Sequence, residues 1–447
     1  MGKAIKIANA DFSAFGLGTV TFVRKVPLVS LSVVCDDTLA EDTQIGVAYN
    51  PVDTTQRSVE FTIVSGGTYA TITEDGMLTI LNTANNSPVT IRVASLDNPS
   101  IYAEKTIAVS YTPTGDEPIN FADSAVKQIL LNNGVGGVTI PGEITANEAK
   151  AVTSIGAWFK GNTTIVSFNE FKYFTGISSF SRNVGTFNGC TALVSIELPS
   201  TLTATSNDSN GTLSTFGGCT SLTTVRNSLT SVGQYTFYGC SALESFDLSE
   251  VTFVGSNAFY GTPLKSINLT KVVTIDPSAF SGQTHSEVES IIWGNELTEI
   301  KYGAFSGTYK LGDIILPGSI TTIGYSNFTC GSNSYRNAVA RSFKISEGTG
   351  QLTLSNSFLG RYDALEVVDL PSNLYSINAQ NWFSNRVAGA PSISLIIRAT
   401  TVPTLTNSFG VSPGAIYVPD SAVNDYKADT AWGAYASIIQ PLSNYVE

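Results

Sequence analysis

Phe237-Tyr-Gly-Cys-Ser-Ala-Leu-Glu-Ser-Phe-Asp-Leu248 carries the pattern on which the fold turns. A phenylalanine leads into a glycine turn, and then Leu-x-x-Phe-x-Leu alternates with the period of two that a short strand requires. The pattern returns at Phe187-Asn-Gly-Cys-Thr-Ala-Leu-Val-Ser-Ile-Glu-Leu-Pro199 and at Phe305-Ser-Gly-Thr-Tyr-Lys-Leu-Gly-Asp-Ile-Ile-Leu-Pro317. Marker phenylalanines fall at 159, 187, 216, 237, 259, 280, 305, 328, 358 and 383, ten copies separated by about 25 residues on average. A self-similar unit of about 20–29 residues predicts a solenoid. Each coil then contributes one Leu-x-x-Ile-x-Leu strand, with the Ile and flanking leucines inward and the residues beside the Ile outward. The phenylalanines stack as an aromatic spine on the other side, and the glycines next to them permit the tight turn.

Working outward, residues 27–111 read as β throughout. Val59-Glu-Phe-Thr-Ile-Val64 and Val89-Thr-Ile-Arg-Val93 alternate, with turn signals at Asn50-Pro51, Gly66-Gly67, Asp75-Gly76 and Asn98-Pro99 between such runs. Strands at this spacing predict a small sandwich. Residues 112–153 read as a linker and an amino-terminal cap. Thr145-Ala-Asn-Glu148 has capping-box spacing, so a short helix is expected after it. The solenoid is assigned to 154–410 and a carboxy-terminal cap to 411–447. The fold class is mainly β: a small Ig-like β-sandwich followed by a solenoid of about ten coils.

Two resemblances extend this reading. Val47-Ala-Tyr-Asn-Pro51, Tyr69-Ala-Thr-Ile72, Gly76-Met-Leu-Thr79 and Thr90-Ile-Arg-Val-Ala-Ser95 resemble the bacterial Ig-like group 2 family, with Phe61 at the place of its usual tryptophan. That resemblance implies a spacer module of surface and phage proteins. The second covers residues 119–447: the entry Ile119–Val126 through Glu148–Gly156 and Ile165–Gly176, the repeat itself, and the end Ile416–Lys427 with Trp432 and Ile438. It is similar to the BspA-like leucine-rich-repeat family of bacterial surface proteins. Members of that family often carry a calcium loop before the entry helix. Counting back from Glu148 puts Gly137, Thr139 and Pro141 where acidic ligands belong, so no metal is expected there. Lys3–Ala14, within an amino-terminal segment 1–26 read as a possible anchor, resembles openings of phage or prophage structural proteins.

Composition excludes several functions. The 447 residues carry 24 basic and 36 acidic side chains, a net charge of −12. That balance disfavours nucleic acid and anionic membrane as partners. No run approaches the ~18–20 apolar residues of a membrane span. Met1–Val23 lacks the apolar core of a secretory leader, so either a leader has been removed or the chain leaves the cell without one. One histidine, His285, serves the whole chain, and no Gly-x-Ser-x-Gly nucleophile motif accompanies it. Cys190, Cys219 and Cys240 each follow a marker phenylalanine by three residues. They predict a column of small buried thiols rather than a metal or redox site. The acidic pairs Asp116/Glu117, Glu287/Glu289 and Glu296/Glu299 fall in the linker and on solenoid edges, where a glycosidase cleft is not expected. No enzyme and no cofactor are expected.

The outward strand positions remain as the candidate site: Ser195/Glu197, Thr224/Arg226, Ser245/Asp247, Ser266/Asn268, Ser290/Ile292, Asp313/Ile315, Val367/Asp369 and Leu395/Ile397. The column is polar in the first coils and is expected to turn aliphatic from Ile292 onward, either as a protein-binding stripe or as a surface covered by inserts such as 331–342 or by a neighbouring subunit. The expected function is extracellular recognition of a host or bacterial surface protein or glycan, at a cell surface. The alternatives are a virion component that reads a bacterial receptor, trimeric if a fibre, and a carbohydrate-active enzyme.

Overall fold

The computed structural model describes residues 26–81, 84, 86–111, 115–282, 287–329 and 339–446. The proposed anchor, His285 and Cys330 therefore lie outside the described residues, except for residue 26 itself. The chain divides into two compact units at the 114/115 boundary.

The first unit is a small β domain. Val59–Ser65, Ser87–Ser95 and Tyr102–Val109 form an antiparallel sheet, with Thr38–Leu39 added in parallel at its edge. Ser30–Val34 pairs with Gly46–Asn50, and Met77–Ile80 lies between Thr43–Gln44 and Ala70–Ile72. Alternation decides the burial: Val89, Ile91 and Val93 are inside while their neighbours are half-exposed. Phe61 packs against both clusters of buried residues in the unit. Gly76 meets that ring at φ +86°, and a Cβ there would sit 2.7 Å from it, so no larger residue fits.

The second unit opens with two helices. Ala146–Ala151 has the expected capping box between Thr145 and Glu148. The helix Ser124–Asn132 was not anticipated. Its cap is Asp123, whose Oδ1 accepts from the Ala125 N–H at 2.9 Å, and it buries Val126 and Leu130, four residues apart on one face. The other Asp123 oxygen accepts from the Val166 N–H at 2.6 Å, which ties the helix to the first coil. The Glu148 carboxylate also accepts from the Val138 and Thr139 N–H groups, both at 3.0 Å. Burial pushes its pKa up, but the main-chain donors of Thr139, Thr145 and Val138 and the Thr145 hydroxyl outweigh burial and hold it below the usual range.

From Ser167 the chain is a solenoid of parallel strands, about ten coils long. One strand of each coil follows the phenylalanine turn. These first strands include Ser195–Glu197, Thr224–Arg226, Ser266–Leu269, Ser290–Trp293 and Ile314–Leu316, then Ser342–Ile345, Val367–Leu370, Ser394–Ile397, Ala415–Val418 and Ile439–Pro441. The other strand precedes the turn, and eight of these form one continuous sheet from Ser231–Val232 to Thr404–Thr406. Tyr426 and Trp432 close the far end, donating to the Ala399 and Pro403 carbonyls.

The spine forms as expected from Phe159 through Phe187, Phe216, Phe237, Phe259, Phe280 and Phe305 to Phe328. Successive ring centroids are 5.2–5.4 Å apart and interplanar angles run from 2° to 27°. Phe358 breaks the series. A left-handed residue precedes the spine position by two at Tyr235, Asn257, Ser278, Gly303 and Ser326, and recurs at Ser357, Asn381 and Asn407. Each of these residues from Tyr235 to Ser357 donates to the carbonyl just before its counterpart on the next coil, the Ser326 N–H to Asn356 and the Ser357 N–H to Gln380. By this phase Leu359 holds the spine position, and Phe358 occupies the preceding one, where earlier coils carry Thr236, Ala258, Ala279, Ala304 and Asn327. Phe358 contacts Trp382 at 5.2 Å, and the parallel stack resumes as Phe383 on Phe409 at 6.0 Å.

Candidate binding face

Strand register places the outward columns. Glu197 lies beside Arg226, and Asn268 beside Ile292. The series from Ile315 runs through Lys344, Asp369, Ile396 and Tyr417 to Gln440. The adjacent outward column is small and hydroxylic, with Ser195, Thr224, Ser245, Ser266 and Ser290 on successive coils.

Six of the eight expected positions are outward and at least partly accessible: Glu197, Arg226, Asp247, Asn268, Ile292 and Ile315. Two are corrected. Ile397 and its companion Leu395 point into the core, pairing with Leu370 and Val368, and are fully buried. The run Leu395-Ile-Ile397 is apolar throughout, so alternation alone could not set its phase; Ser394, in the hydroxyl column, could have done so. The outward residue is Ile396, itself only 2% exposed. Asp369 is in an outward column but is 7% exposed, held by Arg398 through two bonds at 2.7 and 2.9 Å, with Lys344 at 3.5 Å. The expected aliphatic stripe is therefore interrupted. Lys344, on the coil of Phe328, and Tyr417, on a coil beyond the last marker, stand in the same column.

What remains is a short apolar centre between two ionic clusters. Ile292 is 58% and Ile315 56% exposed on neighbouring coils. Toward the amino end, Glu197 lies 3.4 Å from Lys172 and 3.6 Å from Arg226. Toward the other end stand Lys344, Asp369 and Arg398. Between the first cluster and the isoleucines, the Asp247 carboxyl is kept below its usual range by the N–H and hydroxyl of Ser249.

The chemistry-bearing residues elsewhere are structural in their contacts. Each column thiol donates to a phenylalanine carbonyl of the preceding coil: Cys190 to Phe159, Cys219 to Phe187 and Cys240 to Phe216, at 3.0–3.1 Å. These thiols are free. Burial pushes the Cys240 pKa up to about 12; the contact between Cys190 and Cys219 pushes Cys219 well up, with burial, and lowers Cys190. A thiol held protonated is a poor nucleophile and a poor metal ligand. Among the described residues no group of three or more His, Cys, Asp or Glu side chains is placed to hold a metal ion. Glu287 pairs with Lys310, and Asp116 accepts from Asn147. No described helix is long and apolar enough to cross a membrane.

The family model described as "BspA type Leucine rich repeat region" matches six copies over residues 159–286, 212–334 and 283–388. A crystal structure of a leucine-rich repeat protein from Bacteroides ovatus is similar at 16% identity, over 57% of this chain and 86% of that one, with a TM-score of 0.21. No curated protein matches.

Proposed function

This chain belongs to the BspA-type leucine-rich-repeat family, and from that premise we propose that it is a non-catalytic recognition protein of the bacterial surface. Its solenoid binds a protein partner through the column from Glu197 to Tyr417. Leucine-rich repeats generally mediate protein contacts, and their family is typically surface-associated. The observation that carries the proposal is the pair Ile292 and Ile315, exposed on adjacent coils and flanked on both sides by charge. An apolar centre within a polar, charged rim is the anatomy of a protein interface. The β domain of residues 27–111, read as Ig-like, serves as a spacer.

Adhesion of beads coated with the full chain to epithelial and to bacterial cells tests this. Protease treatment of the cells is expected to abolish binding, and the double variant Ile292→Asp, Ile315→Asp to weaken it at least about tenfold. Binding that survives both treatments would refute the proposal. Binding confined to bacterial cells would move the carrier from a cell to a virion.

A further inference from the structure

The eight-stranded sheet of the second strands, which takes no part in the face above, contains one irregularity. Thr322 pairs with Thr353, Thr353 with Ser376 and Ser376 with Thr404. Leu352, however, pairs with Leu374, so Tyr375 is an extra residue opposite no partner. Among the described residues of this sheet it is the one place where the register shifts. Such a bulge re-aims a side chain and bends the strand locally. Here it leaves the Tyr375 ring 53% exposed on an open groove of about 310 Å³.

The lining of that groove is specific in character. Gln351, Thr401 and Thr404 line it, are exposed, and make no side-chain hydrogen bond to other described residues. Asn373 lines it too: its amide nitrogen donates to the Gly350 carbonyl, and its Oδ1 is buried without a donor. Among the described residues no charged side chain lines the groove. An anionic ligand would find no counter-charge there, and the Glu347 carboxylate, one residue behind the lining, is already engaged by the Ser372 N–H and hydroxyl. Neutral donors and acceptors around an aromatic ring suit a compact, uncharged, polyhydroxylated molecule. A pyranose offers a C–H face, weakly positive, to the negative face of the tyrosine ring, and hydroxyls to the Gln351 amide and the threonines. The volume, at the low end of the roughly 300–1,000 Å³ of small-molecule pockets, fits a short saccharide rather than a folded partner.

We infer that this groove binds one or two units of a neutral saccharide, with Tyr375 as the stacking platform and the exposed Gln351, Thr401 and Thr404 as its hydrogen-bonding groups. The site is separate from the protein-binding column and does not depend on it.

Saturation-transfer NMR of the full chain with glucose, galactose, mannose, N-acetylglucosamine, N-acetylgalactosamine and sialic acid tests the inference. At least one neutral sugar is expected to receive saturation, and sialic acid none. Tyr375→Ala is expected to weaken binding at least tenfold, Tyr375→Phe to retain it, and Thr404→Val, which keeps the side-chain shape, to weaken it severalfold. Ile292→Asp is expected to leave sugar binding unchanged, so failure of the protein-binding column is read separately. No neutral sugar bound at about 10 mM, equal binding by Tyr375→Ala that melts like the parent, or a preference for sialic acid would each overturn the assignment.

Discussion

The coils from Phe159 to Phe328 and those from Ser357 onward solve one packing problem in two ways. In the first set every spine position holds a phenylalanine, and from Phe237 to Phe328 the preceding residue is small. Its rings stack nearly parallel. In the second set Leu359 takes the spine, and the large rings of Phe358 and Trp382 sit one position earlier. The next coil keeps Phe383 at the spine beside Trp382, so these coils bury more side-chain volume at the two positions than the early ones do. The difference shows where this solenoid can vary. The coils that broke phase also carry the bulge at Tyr375, the groove beside it and the buried Asp369–Arg398 pair.

The strongest test of that contrast lies in the regular set. Phe259→Ala removes a fully buried ring with a parallel neighbour on each side, and a loss of about 3–5 kcal/mol is expected by urea denaturation. Ile292→Ala on the exposed column is expected to change stability by no more than about 0.5 kcal/mol. A Phe259→Ala effect within experimental error would show that the stack does not bear the fold. Ala304→Phe then puts a large ring before the spine of an early coil, as Phe358 and Trp382 stand in the later ones. It is expected to cost about 1–3 kcal/mol, and a neutral result would mean the two positions are interchangeable anywhere.

The smallest effect distinguishes apolar stack from polar staple. The phenylalanine spine has no proton to exchange, whereas the Glu148 carboxylate is stabilised in its charged form by main-chain donors. Its folded pKa lies below the unfolded value of about 4.3, so its contribution is present above that value and lost as pH falls through the folded pKa. Glu148→Gln is expected to lower the melting temperature at neutral pH, and the gap from the parent should narrow on acidification below about pH 4. A gap independent of pH would show that the carboxylate charge plays no part in the entry cap.

Much of this architecture was legible in residue order. Repeat length, inward Leu and Ile positions, the thiol column and the Thr145–Glu148 cap follow from spacing, because a coil fixes which residues recur on which side. The unanticipated helix had its signals in the cap Asp123 and in Val126 and Leu130, hidden because a cap and two apolar residues weigh little beside the repeat. The candidate face was legible only where polar and apolar residues alternate. At Leu395-Ile-Ile397 alternation is silent, and at Asp369 an aspartate reads as surface until Arg398, 29 residues away, is seen to cover it.

Local periodicity, then, determined that the chain coils, the length of the repeat, and most of the residues that make its core. Phase within the last coils, the burial of Asp369, the exposure of Ile292 and Ile315, and the placing of Tyr375 over a groove were decided only by tertiary structure. The reason is physical: periodicity is set by the backbone and acts within one coil, whereas register and cover depend on side chains of neighbouring coils, 20–30 residues away in the chain.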